Sequence, residues 1–141
     1  MKSFIHRRHA LMIVLSATVP MYGAAATPVE AARTAAAEWL KLLDSGELDA
    51  SWAQAASLFK RAVTGAQWAN AARGVREPLG PLKQRREKSA QQARTLPGAP
   101  DGEYVLLQFE SSFERKAAAV ETVTLMLDAD GRWRVAGYFI N

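Results

Sequence analysis

The sequence predicts an α+β domain in which about three amino-terminal helices pack on a four-stranded antiparallel curved sheet. Up to about residue 76, apolar residues recur every three or four positions, which is the period of helices with one buried face. From Gly102 to Ile140 they recur at every second position, as in strands with one buried face. The helices therefore precede the sheet, and the 141 residues are enough for one hydrophobic core.

The first residues are predicted to be a signal peptide. A basic start precedes an apolar run from Ala10 to Val19, and small residues follow at positions 23–26. We expect a cleaved signal over residues 1–26, a single domain over residues 27–141, and a periplasmic or secreted protein. The apolar run is about half of the roughly 20 residues that a spanning helix needs, so no transmembrane segment is expected after cleavage.

The general secretory route is favoured over the twin-arginine route, because the pair Arg7 and Arg8 is ordinary in the charged region of any signal. No cysteine follows the apolar run, which excludes a lipid-modified amino terminus. Loss of the signal's three basic residues lowers the formal net charge from +4 to about +1, which argues against nucleic acid as a partner.

Both histidines, His6 and His9, lie in the predicted signal, and the sequence has no cysteine. The mature chain would therefore lack a Cys–His or Ser–His nucleophile pair, a zinc site with imidazole or thiolate ligands, and disulfides. We predict no catalytic residue, no metal and no cofactor.

The helix boundaries are predicted from their caps. Thr27 and Glu30 match a capping box with proline at the first helical position, and Gly46 ends this helix. A second, shorter helix is expected to be capped by Asp49 or Ser51. A third begins at a capping box at Thr64 and ends near residue 76. The side chains expected to face the core include Trp39, Leu40, Leu43, Trp52, Phe59, Val63, Trp68, Ala72 and Val75.

Residues 82–96 are polar and basic, and we interpret them as a solvent-exposed first strand, with a helix as the alternative. The last two strands are joined by a turn at residues 128–131. A three-residue loop, 129–131, places Leu127 opposite Trp133, so that both strands show apolar side chains to one face. The core face is predicted to carry Val105, Leu107, Phe109, Phe113, Val123, Leu125, Leu127, Trp133, Val135 and Phe139.

A set of short motifs is spread along the chain, at residues 37–40, 44–46, 51–52, 64–68, 78–80, 96–98, 101–104, 121–125 and 133–138. With these motifs the chain resembles a family of small exported bacterial proteins catalogued as domain of unknown function 4019. The resemblance extends over nearly all of the mature chain and implies a fold akin to the cystatin-like or nuclear-transport-factor-2-like group. In that group a sheet wraps around helices as a cone and often forms a pocket or a dimer face. The family carries no established catalytic residues.

The outer face of the sheet, opposite the core, is the first candidate site. Its apolar content predicts a covered surface, as in a homodimer or a complex with an envelope protein or a small ligand; the alternative is that these residues serve strand pairing alone. The residues singled out for binding on this face are Tyr104, Leu106, Met126, Arg134 and Tyr138.

Two other features carry alternative functions. Glu121 falls on the same face of its predicted strand as the core residues Val123 and Leu125. It therefore lies either beyond the core at the strand end or in a pocket between helices and sheet. Such a pocket would support small-molecule binding or carboxylate and tyrosine chemistry. The basic segment with Lys83, Arg85, Arg86 and Lys88 either contacts anionic lipids at the envelope surface or is a solvated edge. We predict foremost a non-catalytic binding or interaction module.

Overall fold

The structure is a computed structural model and describes residues 23–141. The predicted signal peptide, residues 1–26, therefore lies outside the described residues except for its last four. No helix in the described part is long and apolar enough to cross a membrane. In that part, four helices precede a four-stranded antiparallel sheet, which confirms the predicted α+β class.

Helix α1 (Pro28–Asp44) begins and ends where the sequence predicts. The Glu30 amide donates to the Thr27 hydroxyl at 3.2 Å, and the Thr27 amide donates to the Glu30 carboxylate at 3.1 Å. Gly46 has a φ of 75° just beyond the last turn, a conformation that glycine adopts without strain. The buried stripe of α1 consists of Ala32, Ala36, Trp39, Leu40 and Leu43.

The expected second helix is two short helices, α2 (Leu48–Ala53) and α3 (Ser57–Ala62). Helix geometry stops between them because the Ala56 N–H donates to the carbonyl of Val135 in the sheet, at 2.8 Å. Residues 23–141 therefore contain four helices where about three are predicted.

The expected cap at Asp49 or Ser51 is wrong, since both residues lie within α2. The structure instead buries Ser51 completely. Helix α4 (Gly65–Arg76) does start at its predicted capping box, formed by Thr64 and Gln67, and a 3-10 turn follows at Glu77–Leu79. The placement of Val75 in the core is wrong, because its side chain lines a surface groove and is 45% exposed.

The sheet has strands β1 (Leu82–Ala93), β2 (Tyr104–Phe113), β3 (Lys116–Leu127) and β4 (Trp133–Ile140), in the spatial order β1-β2-β3-β4. The basic segment is thus a strand, as predicted. The three-residue loop between β3 and β4 is confirmed as well, because Leu127 lies opposite Trp133.

A β-bulge in β4 changes the faces of its last residues. Val135 lies opposite Leu125, but Gly137 lies opposite the preceding residue of β3, so Ala136 is an extra residue. Beyond it, Tyr138 lies opposite core residues and Phe139 turns to the outer face with 54% of its surface exposed. The predicted faces of Tyr138 and Phe139 assume a regular strand and are wrong for this reason.

The core lies between the helices and the inner face of the sheet. Trp39 and Trp68 pack with ring centroids 5.7 Å apart, and Trp68 meets Phe59 edge to face at 5.1 Å. Ser51 joins the two indoles, since Trp68 Nε1 donates to its hydroxyl at 2.9 Å and Trp39 Nε1 to its carbonyl at 2.8 Å. These two tryptophans therefore pack the core, which agrees with their large apolar area.

Candidate functional site

Glu121 is the most unusual residue of the core, because its side chain is a fully buried carboxylate. It points inward from β3, between Ser111 of β2 and the bulged end of β4. Its Oε1 accepts hydrogen bonds from Arg85 Nε at 2.7 Å and from the Ser111 hydroxyl at 2.5 Å. Its Oε2 accepts from the Tyr138 hydroxyl at 2.5 Å and from Arg85 Nη2 at 3.1 Å.

A second carboxylate, Asp44 at the end of α1, completes a cluster of four charges. Arg85 donates to Asp44 through Nη1 at 2.7 Å and Nη2 at 2.9 Å, and Arg76 Nη2 donates to the same carboxylate at 2.7 Å. Arg76 Nη1 lies 3.9 Å from Glu121 Oε2. The two arginines and two acids balance in charge, so the cluster satisfies the rule that buried charges are paired.

The pKa values of the two acids follow from this pairing. Burial by itself raises the pKa of Glu121, but the hydrogen bonds and charge of Arg85, with those of Ser111 and Tyr138, outweigh burial and hold it below its usual range. Burial likewise raises the pKa of Asp44, and Arg85 and Arg76 together bring it below the usual value. Burial and the neighbouring Glu121 carboxylate raise the pKa of the Tyr138 hydroxyl. At neutral pH both acids are therefore ionised and the phenol is protonated.

This cluster is built to hold elements together. Both Glu121 oxygens already accept two hydrogen bonds each, so neither is free to take a proton from a substrate. A general acid or base needs a pKa near the operating pH, whereas the pKa of Glu121 moves away from it. Among residues 23–141, no group of three or more His, Cys, Asp or Glu side chains is arranged to hold a metal.

The other residues singled out for binding are not gathered in one place. Tyr138 lies inside against Glu121. Tyr104 is 2% exposed, and its hydroxyl donates to the carbonyl of Pro100 in the loop before β2, at 2.5 Å. Leu106 and Met126 are on the outer face and half-buried, as the predicted register requires.

Arg134 is held at the β3–β4 turn. It donates to both carboxylate oxygens of Asp130 at 2.7 Å, and this pairing lowers the pKa of Asp130 to about 2. Asp128, predicted as a turn former, also accepts from the N–H and the hydroxyl of Ser57 at 3.0 and 2.7 Å. The turn is thereby tied to the start of α3.

The basic residues of β1 divide between the two faces of the sheet. Arg85 belongs to the buried cluster, with 14% of its side chain exposed. Arg86 lies on the outer face and forms an ion pair with Glu110. Lys83 and Lys88 are exposed. The strand therefore does not present the four cations as one surface, although their composition alone suggests it.

The outer face combines a polar centre with apolar flanks. Gln108 contacts Ser89 and Thr122 on either side through side-chain hydrogen bonds of 3.4 and 3.3 Å. On this face, near the β2–β3 hairpin, lies a cavity of about 430 Å³. Most of the side chains that line this cavity are small. They include Ser111, Ser112, Ala117, Ala118, Ala119 and Val120, with Arg86 and Glu110 at the side.

Sequence reasoning singles out Glu121 and Arg85 but misses two of their partners, Asp44 and Arg76. One signal was present for Asp44, because an acid in the last turn of a helix opposes the helix dipole and calls for a compensating cation. Nothing in the local sequence marks Arg76 or pairs it with residues that lie far along the chain.

Comparison with known proteins gives one match. A family model described as "Protein of unknown function (DUF4019)" matches residues 35–138. A search of curated proteins gave no match. No solved structure matched either, so the cystatin-like grouping and its cone stay predictions.

Proposed function

The chain belongs to the DUF4019 family of proteins of unknown function, and we propose that it is an exported, non-catalytic interaction module that forms a homodimer through the outer face of its sheet. One observation carries the proposal. The bulge at Ala136 turns the ring of Phe139 out of the core and onto the face that also carries Leu106 and Met126. An aromatic ring left 54% exposed on a strand is typical of an interface anchor.

A second copy of the chain fits this face by charge. Two ion pairs on it are formed within the chain, Arg86 with Glu110 and Arg134 with Asp130. Charges that are paired in this way repel a second copy less than unpaired charges would. In a two-fold dimer the same patch serves both subunits, so ion pairs formed within each subunit suit such an interface.

A second copy also fits this face by shape and size. The same face has a protruding ring, Phe139, and a cavity of about 430 Å³ with small side chains around it. A two-fold axis between them would place each ring in the other subunit's cavity. Four strands about 4.8 Å apart and about eight residues long project roughly 500 Å², which is on the scale of the ~800 Å² that each partner buries in a standard interface.

The alternative functions have less support. Catalysis in a pocket is less favoured, because Glu121, its first candidate residue, is buried and fully hydrogen-bonded. Association with anionic lipids through the basic edge is less favoured, because two of its four cations are already paired. Arg85 belongs to the buried cluster, and Arg86 forms an ion pair with Glu110. The proposal that the protein is exported rests on the apolar run and the small residues of the predicted signal.

Sedimentation velocity of the purified mature protein over a range of concentrations tests the dimer. We expect reversible dimers in the wild-type protein, and about tenfold or more weaker association in Leu106→Lys and Phe139→Lys. Val75→Lys, with the same change in charge at an exposed residue of α4, is the matched control and should dimerise normally. A protein that stays monomeric at millimolar concentration, or dimers unaffected by Leu106→Lys and Phe139→Lys, would overturn the proposal.

A further inference from the structure

Two large apolar side chains are exposed among residues 23–141, and both line the same groove. Val75 in α4 is 45% exposed and Phe139 in β4 is 54% exposed. The groove between them has a volume of about 180 Å³ and follows the end of β4. Trp68, Tyr138 and Ile140 also line it, so its surface is apolar and partly aromatic.

Within residues 23–141, the backbone of β4 at this groove has hydrogen-bonding positions without a partner. Asn141 and Val120 exchange both of their backbone hydrogen bonds, at 3.0 and 3.1 Å. Opposed residues of an antiparallel pair alternate between bonded and non-bonded positions. The N–H and C=O groups of Ile140 and Tyr138 therefore point away from β3, towards the outside of the sheet. In the described part of the chain, β4 is the last strand on this side.

The two edges of the sheet differ in how they are protected. The edge strand β1 carries Lys83, Arg86 and Lys88, and charged side chains of this kind prevent pairing with other strands. The stretch from Val135 to Asn141 has no charged residue and no proline. One edge is thus blocked against further pairing, whereas the other is not.

We propose that the free edge of β4 and its groove bind an extended, uncharged segment of another protein, which adds to the sheet as a fifth strand. Backbone groups of the segment pair with those of Tyr138 and Ile140. Its side chains that point to the inner face contact Val75, and those that point to the outer face contact Phe139. This is recognition by strand addition, in which backbone hydrogen bonds give affinity and side-chain contacts give selectivity.

An isolated segment fits this edge better than the β4 strand of a second copy. The contact of Ala56 with the Val135 carbonyl already occupies the start of the edge, so only Tyr138 and Ile140 remain for pairing. Two β4 strands would pair over this short length alone, which buries little area for a dimer. A flexible segment can also follow the groove along α4. This site shares Phe139 with the outer face proposed for the homodimer, but its backbone positions and Val75 lie outside that face.

Two blocked synthetic peptides provide the test. The probe is acetyl-Thr-Val-Thr-Val-Thr-Val-Thr-amide, and its control has proline at the central position, which removes a backbone donor. Each is titrated into the isotope-labelled mature protein and followed through the amide signals of Tyr138 and Ile140. We expect saturable shifts with the probe and about tenfold or more weaker binding with the proline peptide.

Protein variants separate this site from the outer face. Val75→Lys should weaken peptide binding about tenfold or more, whereas Leu106→Lys should leave it unchanged although it disrupts the proposed dimer. Gln91→Lys, on the opposite edge strand, is a second control with no expected effect. The proposal is overturned if the probe causes no saturable shifts or if the proline peptide binds equally well. It is also overturned if dilution of Leu106→Lys, in which the outer-face dimer is disrupted, still shifts the same amides, since a second copy would then be the occupant of the edge.

Discussion

Arg85 and Glu121 form an ion pair across an intervening strand: Arg85 lies in β1, Glu121 in β3, and Nε and Oε1 are 2.7 Å apart. Because Asp44 at the end of α1 binds the same guanidinium, this contact joins the first helix to three strands of the sheet. Ser111 of β2 completes the path between the two strands by donating to the same carboxylate oxygen.

Removal of one partner of the Arg85–Glu121 ion pair should destabilise the folded protein. We expect Glu121→Leu to lower the free energy of unfolding by about 3–5 kcal/mol, because it leaves the buried Arg85 without one of its two acids. The double variant Arg85→Met/Glu121→Leu should recover part of this loss, since no unpaired charge then remains between the strands. Urea unfolding measures both. The control is Arg86→Met, in the exposed pair with Glu110, and its loss should be much smaller than that of Glu121→Leu because solvent screens the pair.

Acid should destabilise the protein through the same cluster. The pKa values of Glu121 and Asp44 are lower in the folded state, so the unfolded chain takes up protons first as the pH falls. Their contribution to stability is full above the unfolded pKa values, about 4, and is lost as the pH falls through the folded values. Urea unfolding between pH 7 and pH 2.5 should show this decline, with a shallower slope in Arg85→Met/Glu121→Leu. Equal slopes in the wild-type protein and the double variant would show that the cluster does not cause this decline in stability.

Ser51 should be a sensitive position, because it is buried and accepts the indole N–H of Trp68. Ser51→Ala leaves that donor without a partner, and we expect a loss of about 1–3 kcal/mol in the free energy of unfolding. The exposed Ser45→Ala is the matched control, with an expected change within about 0.5 kcal/mol. Tryptophan fluorescence during urea unfolding follows both variants. A loss as small as that of the control would contradict the importance of this hydrogen bond.

Cleavage of the predicted signal should leave Thr27 as the first residue. The amino-terminal capping box of α1 would then survive intact, because Thr27 and Glu30 are both retained. The full sequence, expressed in a Gram-negative host, is checked by fractionation and by the intact mass of the periplasmic product. Replacing Ala24 and Ala26 with bulky residues should block processing. An unprocessed chain in the cytoplasm would contradict export.

The sequence alone determined the features that depend on neighbouring residues. Thr27 and Thr64 cap their helices through residues three positions away, and the loop at 129–131 sets the register of the last two strands. The alternation of apolar residues in β2 and β3 predicts their faces because the two strands pair without a shift from Tyr104 to Ser111. These interactions are local, so a short stretch of sequence contains both partners.

The tertiary structure alone decided the features whose partners are distant in sequence. The bulge at Ala136 exchanges the faces of Tyr138 and Phe139. The interruption between α2 and α3 is set by contacts of Ala56 with β4 and of Ser57 with the β3–β4 turn. The interior position of Glu121 likewise depends on Arg85, from another strand. A buried charge is stable only with its partners in place, and the folded chain alone brings them together.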